Sequence, residues 1–266
     1  MQMQLDKKAI VDRLEQLRRK DAKRQVFGAA VHNYELQPPL SPFVVEAFER
    51  ELGVTLPEDY KYFITQIGNG GAGPYYGLFP FEQHDDSRGL RSWQGGGLVG
   101  DVSQPFPHTT AWNLPESFWE QEPDPPADIP IEEEHEMCES WDKLLEEHYW
   151  KPTLMNGAIP ICHKGCALWQ WLVVHGEQRG YVWDDMRADY AGIAPVKDAD
   201  GNHVTFADWY LSWLDKAERG GTQQAIATVP YRSLVPRSHR ELLTLFLLVV
   251  AGVLLGLLVA LFRNGP

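Results

Sequence analysis

Apolar positions recur at helical spacing in five stretches of the chain. Leu5, Ala9, Leu14 and Leu17 fall roughly on one side of a charged N-terminal helix. Val44, Val45, Phe48 and Leu52 line a helix opened by Ser41-Pro42, an N-cap residue followed by proline at the first helical position. Gly53 can take the left-handed geometry that ends it. Leu56, Tyr60, Phe63, Ile64 and Ile67 then form one stripe of a third helix. Thr55 stands three residues ahead of Glu58, the spacing of a capping box, with Pro57 in the first turn. Asn69-Gly70-Gly71 stops that helix. Met137, Trp141, Leu144, Leu145 and His148 predict a helix from Glu132 to Tyr149. Phe206, Trp209, Tyr210, Trp213 and Leu214 make the buried face of a last helix, capped by Thr205 with Asp208 three residues on.

Other stretches follow the shorter period of strands. Tyr75 to Phe81 reads as a strand entered from Gly73-Pro74. Ala158–Cys162 and Ala167–Val174 read as strands joined by a turn at Lys164-Gly165. The second carries Trp169, Trp171 and Val173 on one face and Leu168, Leu172 and Val174 on the other, so it belongs in the middle of a sheet covered on both sides. Gly176 to Gly180 turns the chain into Tyr181-Val182-Trp183, an antiparallel hairpin by loop length. Together these predict an α+β domain with a mixed, mainly antiparallel sheet packed with helices.

Three blocks carry a resemblance. LGVTLPEDYKYFITQIGNGG (Leu52–Gly71) followed by GPYYGL is the first. Asn156–Ile161 with Gly176–Gly180 and Tyr181-Val182-Trp183 is the second, and Phe206–Leu214 the third. In that order, across roughly Phe27 to Leu214, they resemble the SUKH superfamily, the Smi/Knr-like group of fungal cell-wall regulators and bacterial toxin-immunity proteins. The resemblance implies a binding module without catalytic activity. On this reading residues 1–24 are a basic amphipathic helix and 25–217 a SUKH-like domain with an acidic insertion at 115–149. Residues 218–241 are a flexible linker and 242–262 a transmembrane helix, the acidic insertion and the apolar segment being departures from the family pattern.

Charge sharpens the picture. The 266 residues carry a net charge of −13, unevenly spread. Glu116 to Glu147 holds thirteen Asp or Glu against Lys143, while Lys7 to Arg24 holds eight Lys or Arg. A negative body disfavours nucleic acid, whose phosphates dominate such affinity, and would steer a basic protein partner. The basic N-terminal helix reads as a solvated face and not as a lipid-binding one. Cys138, Cys162 and Cys166 make no disulfide framework in a chain this long and fit reduced thiols in the cytosol. The N-terminus lacks the apolar core of a signal peptide.

Leu242 to Phe262 runs twenty-one residues without a charge. At about 1.5 Å per residue such a helix is about 30 Å long, the thickness of a bilayer's hydrocarbon core. Arg232, Arg237 and Arg240 precede it against Arg263 after it, which places the main domain in the cytoplasm of a single-pass protein anchored by its C-terminal segment. Gly252 and Gly256 have the spacing that lets two such helices approach, so a homodimer is a further expectation.

Chemistry finds little support. Cys162, His163, Cys166 and His175 lack the paired close spacings of a structural zinc site and read as a strand and turn. Asp184 and Asp185 with nearby Asp189 could be paired carboxylates, yet neighbours on a strand point to opposite faces. Gly68 to Gly73 follows a helix where a phosphate loop precedes one. No enzyme, metal or cofactor is expected. A protein-binding patch has more behind it: Tyr75 and Tyr76 after the glycine turn, and Trp183 with Asp184 and Asp185 at the hairpin, join aromatic anchors to carboxylates. Packing in the core is the alternative for these rings, above all for Trp183. The expected function is a membrane-tethered binding protein that neutralises a toxin, a basic toxin domain fitting the charge, by occluding it; the alternative is a regulatory scaffold in envelope or cell-wall control.

Overall fold

The computed structural model describes residues 4–81, 84–85, 90–91, 99–126 and 128–220. The expected linker from Gly221 onward and the apolar stretch Leu242–Phe262, with Gly252 and Gly256, lie outside them. Among the described residues no helix is long and apolar enough to cross a membrane.

Helices α1 (Lys7–Lys20), α2 (Ala29–His32), α3 (Pro42–Leu52) and α4 (Glu58–Tyr62) come first. A small ladder pairs β1 (His84–Asp85) with β2 (Leu90–Arg91). Helices α5 (Glu116–Trp119) and α6 (Ile131–His148) build the acidic insertion. An antiparallel sheet then runs β3 (Ala158–Gly165), β4 (Leu168–Val173), β5 (Val182–Asp185) and β6 (Ile193–Pro195) in chain order, and α7 (Phe206–Glu218) closes the fold. This is the expected α+β class with a four-stranded antiparallel sheet.

The sheet is covered on both faces. Ile159, Ile161, Leu172, Val174 and Val182 face the helical layer, where Ile10, Phe48, Phe63, Phe206 and Tyr210 are buried. Trp171, Val173, Trp183 and Ile193 face the other way, onto Phe106 and Met155. The two-sided pattern expected of β4 is therefore its actual environment. A third, smaller core of Trp141, Leu145 and Tyr149 belongs to the insertion, and Trp112 packs against both it and the second core.

Most element boundaries follow their local chemistry. Gly53 ends α3 in the left-handed region at φ 66°, and Thr205 caps α7 by accepting from the Asp208 N–H. Asp59 adds a second cap, accepting from the Ala207 N–H at 2.9 Å. Burial pushes the Asp59 carboxyl above the usual carboxylate range, opposed by the Ala207 and Tyr60 N–H donors. The stripe from Leu56 to Ile67 is buried as expected, though α4 widens after Tyr62 into a π-helical turn, Phe63–Ile67.

Several expectations need correction. Ala9 is exposed and Ile10 takes its place on the buried side of α1, with Leu14 and Leu17. Thr55 does not cap α4: Pro57 sits at the N-cap, and the Leu56 N–H donates to the Glu49 carboxylate. The turn between β3 and β4 lies two residues on, at Cys166-Ala167. Both have positive φ (50° and 58°), the geometry of a type I′ hairpin, whose twist matches its strands. Tyr75–Phe81 is not a full strand. Pro74–Gly77 forms a turn, and only Leu78 bridges β3, at Cys162, because left-handed Tyr75 and Gly77 break the extended run. Pro160 lacks a donor within β3, and the register shifts just after it. The short α5 replaces the extended loop expected after Pro115, and β6 has no counterpart in the expectations because three residues carry no readable period.

Candidate functional site

Phe27, Tyr75, Tyr76, His163, Trp169 and Phe79 come together from four parts of the chain. The Phe27 and Tyr76 ring centroids are 5.1 Å apart, and Tyr76 stacks on His163 at 5.8 Å. His163 meets Trp169 at 4.7 Å across the β3–β4 ladder, where the two are register partners, and Trp169 meets Phe79 at 5.7 Å. Tyr76 is 40% exposed and the other members of this chain of rings are half-buried, so their edges form one aromatic strip at the surface.

Backbone geometry sets the strip. The Pro74–Gly77 turn leans on β3 through the Tyr76 N–H to the His163 carbonyl, and the Cys162 thiol donates to the Pro74 carbonyl at 3.0 Å. Burial pushes that thiol well up from its ordinary range, so it stays protonated and able to donate. Gly28, at φ 79°, lies directly against the Tyr75 carbonyl; a Cβ there would overlap that oxygen. The Tyr76 ring rests over Gly165, where any side chain would be pressed against it. Gly70 and Gly71, at φ 89° and 95°, turn the chain ahead of Tyr75 and Tyr76.

A polar chain lies beside Tyr75. The Lys164 ammonium donates to Asp184 Oδ1 at 2.7 Å, and the Gln170 amide donates to the same oxygen at 3.0 Å. Gln170 in turn accepts from the Trp209 indole at 3.0 Å. The ammonium lies 5.4 Å from the Tyr75 ring centre, a cation–π contact. Burial first, then the Asp184 charge, raises the Tyr75 hydroxyl above its ordinary range, which keeps it a neutral donor. Burial alone lowers His163, so its ring stacks as the neutral imidazole.

The five residues expected to form a patch therefore part company. Tyr75, Tyr76 and Asp184 gather at one end of the sheet, with Asp184 half-buried under its two donors. Trp183 is fully buried against Phe106 in the second core. Asp185 is also buried, paired in a fork with Arg187 at 2.8 and 2.6 Å. Neighbouring carboxylates on β5 point to opposite faces, as strand geometry requires. Phe27, His163, Trp169 and Phe79 were not foreseen. The alternation around His163 and Trp169 was readable, but their pairing needed the register, and Phe27 is distant in sequence.

A cleft of about 790 Å³ lies elsewhere, lined by Leu5, Pro57, Asp59, Tyr62, Arg179 and Tyr181 among others. Two of its charged groups are occupied within the fold: Asp59 caps α7, and Arg179 donates to the Thr55 and Leu56 carbonyls, while Glu58 is exposed. Among the described residues no three metal-capable side chains converge.

A family model described as SMI1 / KNR4 family (SUKH-1) matches residues 39–196, more than half the chain. The chain belongs to that family. Neither the curated proteins nor the solved structures include a match to it. The SUKH-1 match takes in Tyr75, Tyr76, His163, Trp169 and Asp184 together with the acidic insertion. Phe27 lies outside it, as do α1 and α7, although both helices contribute to the main core. Arg13 of α1 binds them together, donating to Glu218 at 2.7 and 2.8 Å and also pairing with Asp215.

Proposed function

We propose that this SUKH-1 protein is a non-enzymatic, membrane-tethered binding module that neutralises a toxin by occluding it. The single observation that carries the reading is the aromatic strip from Phe27 through Tyr76 to Phe79, all of it but Phe27 within the SUKH-1 match. Half-exposed rings fixed by packing make good anchors, because they bury large areas at small cost in side-chain entropy. The acidic bias of the chain supports a basic partner. The apolar stretch Leu242–Phe262 supports a single-pass anchor, with the arginines before it on the cytoplasmic side. Tethering would raise the local concentration of the module where a toxin enters.

Co-expression with the product of a neighbouring toxin gene tests the immunity role. The wild-type chain is expected to rescue growth and co-purify with the toxin. Tyr76→Ala is expected to lose both while the domain stays folded, at a cost of about 1–3 kcal/mol for the lost ring contacts with Phe27 and His163. Rescue by the variant at wild-type level would remove the strip from the mechanism. A deletion phenotype in cells without any toxin would favour the regulatory-scaffold role instead. Removing Leu242–Phe262 is expected to move the protein from the membrane fraction to the cytosol, and an unchanged distribution would refute the anchor.

A further inference from the structure

A second surface lies on the insertion. Helix α6 has eighteen residues, yet only Trp141 and Leu145 are buried, both in its C-terminal half. Its first turns stand out from the body with Ile131 79% exposed. Between these turns and the segment after α5 lies a groove of about 510 Å³. Met137, Trp141 and Leu144 form an apolar floor along one face of α6, with Glu133 and Glu136 on the same wall. Gln121 and Pro123 form the opposite wall. From Met137 to Leu144 the helix rises about 10 Å, so the floor is about two turns long and one side chain wide.

We propose that this groove docks a basic amphipathic helix of a protein partner, with apolar side chains on Met137 and Leu144 above the buried Trp141 and cationic flanks against Glu133 and Glu136. A long, narrow apolar strip beside a helix matches a partner helix that offers residues at i and i+4. The sign of the partner follows from the segment itself, with thirteen carboxylates against Lys143 between Glu116 and Glu147. That field repels nucleic acid and anionic lipid and attracts Lys and Arg side chains. The proposal rests on the protein-binding reading above, but uses a surface separate from the Tyr76 strip, so the two fail independently.

The test measures binding of a stapled helical peptide carrying two leucines at i and i+4 flanked by arginines. The full chain is held in phosphatidylcholine nanodiscs at about 0.15 M salt, with empty discs subtracted. Met137→Asp removes floor but adds negative charge, so seating in the groove predicts roughly tenfold weaker binding, whereas bulk charge attraction predicts equal or tighter binding. The equal or tighter result overturns the proposal, as does a wild-type chain that does not bind the peptide. Because Met137 is half-buried, the paired variant Glu133→Gln/Glu136→Gln serves as a check: it should weaken binding several-fold, and an unchanged affinity overturns the proposal. Tyr76→Ala should leave peptide affinity unchanged. Replacing Arg232, Arg237 and Arg240 by Ala should also leave it unchanged. A roughly tenfold gain in that variant would mean the groove holds the chain's own basic segment, which overturns the proposal.

Discussion

Arg187→Met should be among the most damaging single substitutions in the domain. Arg187 is 1% exposed, donates to both Asp185 oxygens at 2.8 and 2.6 Å, and reaches the Tyr149 carbonyl at 3.1 Å. Its guanidinium also lies 5.8 Å from the Trp150 ring centre. Without the fork, the Asp185 carboxylate, 7% exposed, keeps only a 3.2 Å bond from the Arg187 N–H. A buried charge stripped of its partner costs about 3–5 kcal/mol, which for a domain of this size lowers the melting temperature by roughly 10 °C. The damage should centre on the insertion, because Tyr149 ends α6 and its hydroxyl accepts from the Gly192 N–H beside β6. The assay is urea unfolding followed by tryptophan fluorescence, with limited proteolysis of residues 115–149 alongside. Asp185→Asn/Arg187→Met removes both charges and should recover most of the loss, since the penalty arises from the uncompensated carboxylate. A single-variant loss under about 1 kcal/mol, or a double variant no better than the single, would refute this account.

Acid should weaken the fold partly through His32. Burial, with a smaller push from Arg24, lowers its imidazole to about 4, and the Tyr34 N–H donates to Nδ1, so the ring is folded in its neutral form. The unfolded chain takes the proton near pH 6.5 and the folded one near 4; stability present above 6.5 is therefore lost as pH falls through that window, by up to roughly 3 kcal/mol. Denaturation at several pH values should show a shallower dependence for His32→Gln, and an unchanged slope would refute the assignment. Gly28→Ala should cost more than Gly53→Ala, although both glycines have positive φ, 79° and 66°. At Gly53 no described atom lies within 4 Å of an added Cβ, so only the dihedral penalty of about 1–2 kcal/mol applies, whereas Gly28 must also push the Tyr75 carbonyl away. Equal melting temperatures for the two would show that the Gly28–Tyr75 contact yields freely.

Period and punctuation determined much of this protein before any contact was known. The stripes of α3, α4 and α7, the Thr205 cap, the Gly53 stop and the doubly apolar β4 were legible because each depends on neighbours within about four residues in sequence. So was the kinship, carried by the two blocks that fall within residues 39–196. The tertiary structure decided whatever depends on register or distant contact. It sent Trp183 into the core and Asp185 onto Arg187, left Tyr76 open, and brought Phe27, His163, Trp169 and Phe79 beside it. It also put Ile10 in place of Ala9 on the buried side of α1, completing the i, i+4, i+7 stripe with Leu14 and Leu17. A side chain's chemistry is local, but whether it meets water or another ring depends on segments far away in the chain, 205 residues for Arg13 and Glu218, and their joint packing cannot be read from any one of them.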